Sequence, residues 1–179
     1  MRRRLSALLL VALTGGTIAG AVASAKGRPT TAHAARIPAL PHLPEVANRC
    51  PGPADYRHAF VTAAQQTDLP LAMLVAVGQV ESRLDADARS SVDARGLLQV
   101  LPSTGASLRL DVDHPDSNVL AGARYLRLLL DRFQSPDLAL AAYNAGPTAV
   151  AGAGGAPTPQ TETYVANVTQ IWRELRGCR

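Results

Sequence analysis

Residues 71–81 of this 179-residue chain read Leu71-Ala72-Met73-Leu74-Val75-Ala76-Val77-Gly78-Gln79-Val80-Glu81. A helix that is apolar on almost every side is a buried one, so this run predicts a central helix that extends to about Arg83. Pro70, immediately before the run, suits the first turn of such a helix.

Glu81 stands out because it is a carboxylate at the end of an apolar run and has no lysine beside it. Burial disfavours the charged form of a carboxylate and raises its pKa, which is the condition for a general acid working near neutral pH. The alternative is that Glu81 lies at the solvated end of its helix and pairs with Arg83. Glu81 is therefore the first candidate catalytic residue.

Helical patterns continue on both sides of this run. The predicted helices cover residues 55–67, a short segment from Pro102, a longer segment capped by Asp116 or Ser117 and ending at Phe133, a segment that Ser135-Pro136 opens and Gly146-Pro147 ends, and about Thr161 to Arg176. The sequence contains no convincing period-two strand pattern and no internal repeat. We therefore predict an all-α domain.

Composition and charge exclude two broad classes of protein. Hydrophobic residues make up 47% and charged residues 18% of the chain, which argues against wholesale disorder. The formal charge of +4 comes from the first 49 residues, because residues 50–179 hold 11 basic and 13 acidic side chains. The domain itself gives no support to nucleic-acid binding, and we expect none.

The amino terminus resembles an export signal. Arg2, Arg3 and Arg4 precede a mostly apolar segment, and Ala23-Ser24-Ala25 fits a cleavage site. We predict a signal peptide at 1–25, a Pro/Ala-rich, disordered linker at 26–49 and a catalytic domain at 50–179. The protein is then extracytoplasmic, in the cell wall or periplasm, with no stable membrane insertion after cleavage. A retained signal anchor is the alternative.

Export also predicts how the two cysteines behave. In an oxidising compartment Cys50 and Cys178 are expected to pair, and a loop of that length stabilises by about 4–5 kcal/mol in the chain-entropy model. The alternative is two unpaired buried thiols. Mass analysis of exported protein without reductant should give one disulfide, and two free thiols would contradict the pairing. The pattern predicts no structural zinc, no other metal and no cofactor.

Four ordered blocks of sequence resemble the soluble lytic transglycosylase (SLT) domain family. They are Glu81-Ser82 with Ser90 and then Gly96-Leu97-Leu98-Gln99 and Pro102-Ser103-Thr104; Asn118, Gly122, Tyr125 and Leu126; Ala141-Ala142-Tyr143-Asn144-Ala145-Gly146-Pro147; and Gln160-Thr161-Glu162-Thr163-Tyr164-Val165. The block around Tyr143 is the most specific of them.

The resemblance implies a lysozyme-like (goose-type) helical fold and cleavage of the β-1,4 bond between N-acetylmuramic acid and N-acetylglucosamine in peptidoglycan. By resemblance, Glu81 is the single catalytic acid/base, and the muramoyl C6 hydroxyl closes onto C1 to give a 1,6-anhydro product. This differs from the paired-carboxylate scheme of most glycosidases.

The same resemblance implies further site residues. Ser90 and Gln99 match side chains that hydrogen-bond near the catalytic glutamate and the sugar, and Tyr143 matches a tyrosine whose hydroxyl approaches that glutamate. The other implied substrate-binding residues are Leu101, Asn144, Gln160 and Tyr164. Tyr143 and Asn144 could instead form a polar helix end, and Tyr164 could be a core aromatic.

Four positions depart from the family pattern. Leu98 and Leu101 stand where methionines are usual, and the first exchange conserves volume. Asp93 replaces a glycine, and aspartate is among the better substitutes if the position needs a positive φ. Gln160 replaces a second glutamate, from which we expect altered binding rather than lost chemistry. Residues 152–159 are expected to form a short Gly/Pro loop beside the cleft.

Two other functions fit the same residues. A muramidase would hydrolyse the same bond with water, and a cell-wall-binding protein would keep the fold without turnover. Retention of Glu81, Gln99, Tyr143 and Asn144 in one chain argues against the second.

Overall fold

Seven α helices make up most of residues 54–177, which are the residues that the computed structural model describes. A 3-10 turn at Ala54–Tyr56 precedes α1 (Arg57–Thr67), α2 (Leu71–Ser82), α3 (Pro102–Leu108), α4 (Pro115–Phe133), α5 (Pro136–Ala145), α6 (Pro147–Ala153) and α7 (Pro159–Glu174). Within this range only isolated β-bridges form, Arg89 with Arg95 and Arg95 with Val100. The all-α prediction is confirmed. The predicted signal peptide, linker and Cys50–Cys178 disulfide lie outside the described residues.

Helix α2 is the buried centre that its sequence predicts. Every residue from Leu71 to Gly78 is buried. Burying a leucine, valine or methionine side chain contributes about 1.5–3 kcal/mol relative to leaving it exposed. Helix α2 packs against α1 and α7, and α4 packs against α1 and α5. The last turn of α2, which carries Glu81, therefore lies next to α7.

Proline begins each of the last five helices: Pro102, Pro115, Pro136, Pro147 and Pro159. The ring fixes φ near the helical value, and the missing N–H is one that the first turn would leave without a partner.

These prolines account for three differences from the predicted helix boundaries. Helix α4 begins at Pro115, so neither Asp116 nor Ser117 is its cap. Helix α7 begins at Pro159, and the Thr158 hydroxyl accepts a hydrogen bond from the Thr161 N–H at 3.2 Å. The predicted loop at 152–159 is shorter, because residues 147–153 form α6, whose Val150 is buried in the core.

Candidate active site

Glu81 is half-buried in the last turn of α2. Burial raises the pKa of its carboxyl group to about 7, although a hydrogen bond from Tyr164 opposes part of that rise. Near neutral pH the side chain is thus divided between its protonated and ionised forms. Arg83, the alternative partner, is exposed, and within residues 54–177 it forms no ion pair with Glu81.

Tyr164 contacts the carboxyl group directly. Its hydroxyl donates a hydrogen bond of 2.7 Å to Glu81 Oε1, and the two residues are 83 positions apart in the chain. Burial, together with the nearby Glu81 charge, raises the pKa of Tyr164 well above its usual value. The hydroxyl therefore stays protonated and acts as a permanent donor. This leaves Glu81 Oε2 as the oxygen that can exchange a proton with a ligand.

The Tyr143 hydroxyl, which the resemblance implies lies near the glutamate, does not hydrogen-bond Glu81. It donates instead to the Leu98 carbonyl oxygen at 2.8 Å. The group is buried, and burial followed by the charge of Glu81 raises its pKa well above the usual value. Gly122 permits this arrangement, since a Cβ there would lie 2.8 Å from the Tyr143 hydroxyl and 2.5 Å from Leu98 Cδ1. Tyr143 thus holds the backbone of the loop beside the acid.

Ser90 and Gln99 shape the loop that follows α2. The Ser90 hydroxyl oxygen accepts from the Ala94 N–H at 3.0 Å. The Gln99 amide nitrogen donates to the carbonyl oxygens of Ala88 and Gly96, both at 3.0 Å. Both polar side chains therefore use some of their hydrogen-bonding groups to stabilise the backbone of the loop.

Asn118, a matched position of the second sequence block with no predicted role, connects three segments beside the site. It is fully buried. Its Oδ1 accepts from the Leu98 N–H at 2.9 Å, and its Nδ2 donates to the carbonyl oxygens of Arg95 at 2.7 Å and Val112 at 2.9 Å. A polar residue on the buried face of an amphipathic helix must be hydrogen-bonded, and that signal was available in the sequence.

Asp93 adopts the left-handed conformation, with φ at +64°, that its replacement of a glycine suggests. Its carboxylate accepts two hydrogen bonds from Arg95, at 3.0 and 2.8 Å, and Arg95 also reaches Asp113 at 2.6 Å. The hydrogen bond from Arg95 lowers the pKa of Asp93. These ion pairs are largely exposed, so each contributes little to stability.

The three remaining candidates, Leu101, Asn144 and Gln160, are exposed. Leu101 has 40% of its surface accessible. Asn144 ends α5, and Gln160 lies in the first turn of α7. Exposed polar and apolar side chains of this kind are available to a ligand. Among residues 54–177, no group of three or more His, Cys, Asp or Glu side chains is placed to hold a metal ion.

The Tyr164 hydrogen bond gives a testable effect on pH dependence. A donor to the ionised carboxylate favours that form, so Tyr164→Phe should raise the pKa of Glu81. The alkaline limb of the kcat/KM profile should then move to higher pH. Tyr143→Phe is the matched control, because its hydroxyl bonds Leu98; an equal alkaline shift in both variants would contradict the assignment.

The fold and this site together define a lysozyme-like helical domain in which Glu81, with its pKa raised to about 7, accepts a hydrogen bond from Tyr164. Residues 58–163 match the family described as the transglycosylase SLT domain. The match covers more than half of the chain, and the chain belongs to this family.

Two lytic murein transglycosylases are similar to this chain in sequence. The chain is 38% identical over 107 residues to membrane-bound lytic murein transglycosylase F of Cellvibrio japonicus, covering 55% of this chain and 21% of that protein. It is 28% identical over 142 residues to the soluble lytic murein transglycosylase of Escherichia coli, covering 65% and 22%. The chain therefore spans about a fifth of the length of these relatives.

A solved structure supports the fold. An inactive glutamate-to-glutamine mutant of the lytic transglycosylase Slt from Pseudomonas aeruginosa superposes with a TM-score of 0.60 at 28% identity, covering 71% of this chain and 25% of that one.

Proposed function

We propose that this domain is a peptidoglycan lytic transglycosylase that cleaves the bond between N-acetylmuramic acid and N-acetylglucosamine and forms 1,6-anhydromuramic acid. The observation that carries the proposal is Glu81, whose pKa is raised to about 7 by burial and whose Oε1 is held by Tyr164. An acid with a pKa near the working pH can both give and take a proton efficiently. The named relatives, all murein transglycosylases, supply the substrate class.

The reaction needs only one carboxyl group. Protonated Glu81 donates its proton to the glycosidic oxygen as the bond from C1 to that oxygen breaks, and the substrate's N-acetyl group stabilises the positive charge at C1. Ionised Glu81 then takes the proton from the C6 hydroxyl as O6 bonds to C1. Glu81 ends the reaction with the proton that it had at the start, and no water is consumed. Tyr164 favours the intermediate stage, because its hydrogen bond stabilises the ionised carboxylate.

A second carboxylate has no obvious place in this scheme. Asp93, in the loop that follows α2, and Asp113, which precedes α4, both form ion pairs with Arg95. Asp85 and Asp87, in the same loop as Asp93, are exposed. The paired-carboxylate mechanism requires a second acid facing the same bond, at about 5–9.5 Å from the first. We therefore assign the acid and base steps to Glu81 alone.

Five side chains are proposed to contact the glycan strand. Exposed Asn144 and Gln160 offer amide groups, and Leu101 offers an apolar surface. Ser90 and Gln99 would use the hydrogen-bonding capacity that the loop leaves, namely the Ser90 hydroxyl proton and the Gln99 amide oxygen. Tyr143 is proposed to position the loop through its hydrogen bond to Leu98, and Tyr164 to position the carboxyl group of Glu81.

Product analysis on purified peptidoglycan tests the reaction type. We expect muropeptides that end in anhydromuramic acid, each lighter by one water than the product of hydrolysis. Reducing-end muramic acid without anhydro product would favour the muramidase. Wall binding without released muropeptides, unaltered in Glu81→Gln, would favour a non-catalytic binding protein.

We also propose that the protein acts outside the cytoplasm, on the basis of the leader-like residues 2–25. None of the helices described within residues 54–177 is both long and apolar enough to cross a bilayer. The proposed partner is the peptidoglycan glycan strand.

A further inference from the structure

Ser82, the residue after the proposed acid, joins helix α2 to the loop that carries Gln99. Its hydroxyl donates a hydrogen bond of 2.8 Å to the Leu97 carbonyl oxygen, across 15 positions of sequence. The Gly78 carbonyl oxygen, one turn earlier in α2, lies 3.3 Å from the same hydroxyl. A serine hydroxyl has one proton to donate, so we assign that proton to the shorter contact, the one with Leu97.

The Leu97 carbonyl oxygen depends on this serine for its hydrogen bond. Leu97 is fully buried. Among the hydrogen bonds of residues 54–177, no other donor reaches its carbonyl oxygen. The Gly78 carbonyl oxygen, by contrast, also accepts from the Leu84 N–H at 3.2 Å. Because a buried carbonyl group without a partner is costly, the Ser82 hydroxyl fixes this part of the loop against α2.

Ser82 is one of three side chains that anchor the peptide groups before Gln99. The other two are Asn118 of α4, which accepts from the Leu98 N–H, and Tyr143 of α5, which donates to the Leu98 carbonyl oxygen. Gln99 has a φ of +45°, in the left-handed region that residues other than glycine rarely adopt. Such a conformation persists where the surrounding structure determines it. Side chains from three helices therefore hold the backbone that leads into Gln99.

Of these three anchors, Ser82 is the one that belongs to the helix of Glu81. The two residues are consecutive in the last turn of α2, and Arg83 ends that helix with a φ of +57°. A shift of this turn relative to the loop would change the distance between the acid and Gln99, and the hydrogen bond of Ser82 opposes such a shift. A misplacement of about 1 Å can lower the rate of an enzyme by about 10²-fold.

We infer that Ser82 is a positioning residue of the proposed reaction, and that its hydrogen bond to Leu97 sets the place of Gln99 relative to Glu81. This inference rests on the proposed function, in which Gln99 contacts the glycan strand and Glu81 moves the proton. Ser82 acts through Gln99 and exchanges no proton with the substrate.

Ser82→Thr and Ser82→Val test the hydroxyl at constant shape, because threonine and valine differ only in a hydroxyl against a methyl group. The substrate is soluble glycan strands from purified peptidoglycan, and rates are taken per mole of folded protein, as measured by far-UV circular dichroism. We expect kcat in Ser82→Val to be about tenfold or more below that of Ser82→Thr, with KM changed by less than about threefold. The other side chains proposed to contact the glycan still bind it, whereas its orientation at the acid is lost.

Ser107→Ala is the matched control. The Ser107 hydroxyl also donates to a backbone carbonyl oxygen, that of Thr104 at 2.7 Å, but this hydrogen bond lies within α3 and is exposed. Its removal connects no two segments, so kcat and KM should stay as in the wild type.

Two outcomes would overturn the inference about Ser82. Equal kcat values per mole of folded protein in Ser82→Thr and Ser82→Val would leave the serine with a structural role only. A higher KM in Ser82→Val at unchanged kcat would assign the serine to glycan binding alone.

Glu81→Gln separates this inference from the proposed function. If Glu81→Gln keeps the wild-type rate, the proposed function fails and the inference fails with it. If Glu81→Gln is inactive while Ser82→Val matches Ser82→Thr, only the inference about Ser82 fails.

Discussion

Glu81→Gln should remove nearly all release of muropeptides while leaving the fold intact. The amide keeps the size of the side chain and can still accept the Tyr164 hydrogen bond through its oxygen, but it can neither donate a proton to the glycosidic oxygen nor accept one from the C6 hydroxyl. Positioned acid–base groups contribute about 10²–10⁴-fold to rate. Initial rates of product release measure the loss, and a decrease of less than tenfold would contradict the assignment.

The same variant should be more stable than the wild type at alkaline pH. Glu81 has its pKa raised from 4.5 to about 7 on folding, so the folded state binds the proton more tightly than the unfolded state. This contribution to the free energy of unfolding is complete below about pH 4.5 and is lost as the pH rises through 7. Glutamine does not titrate, so its advantage should grow across that window to about 1–3 kcal/mol.

Urea unfolding of both proteins at several pH values measures this difference. The two results of the substitution, lower turnover and higher stability, should appear together. A variant that loses turnover and also unfolds more easily at pH 8 would point to a structural role for the carboxyl group.

Asn118→Ala should produce the largest loss of stability among the residues around the site. It would remove three hydrogen bonds and leave the Leu98 N–H and the Val112 carbonyl oxygen without their partner, whereas the Arg95 carbonyl oxygen keeps its hydrogen bond from the Val100 N–H. Each buried polar group left without a partner costs about 1–3 kcal/mol. We expect a total of about 3–5 kcal/mol, measured by denaturant unfolding, and a lower rate, because the loop that carries Gln99 loses its anchor.

Two further variants separate hydrogen bonding from packing. Asn118→Leu keeps the branched shape and the number of side-chain heavy atoms but none of the hydrogen bonds, so it should be nearly as unstable as Asn118→Ala. Recovery of wild-type stability in Asn118→Leu would mean that packing alone explains the effect. Asn167→Ala, at an exposed position of α7, should change the free energy of unfolding by no more than about 0.5 kcal/mol.

The sequence was sufficient where a local pattern carried the information. The apolar run of α2 predicts its burial, and that burial in turn predicts the raised pKa of Glu81. The aspartate at position 93 is compatible with a positive φ, which the structure shows. In both cases the property depends on the local sequence: on the apolar run for the burial of Glu81, and on the residue type for the backbone conformation at position 93.

The sequence was insufficient where two similar groups compete for one partner. Tyr143 and Tyr164 both lie near Glu81, and the choice of hydrogen-bond acceptor depends on distances that only the packed helices fix. The sequence pattern also did not predict helix α6, because that helix depends on tertiary packing. Seven residues are too few to form a stable helix alone, and this one forms where Val150 packs into the core.

The prolines at the starts of five helices affect the unfolded chain as much as the folded one. Each restricts the backbone before folding begins, and at a compatible site this stabilises a protein by about 0.4–1 kcal/mol through a smaller loss of conformational entropy. Because every one of these helix starts is specified by its own residue, the connecting segments are free to change in length and composition without moving the point at which the next helix begins.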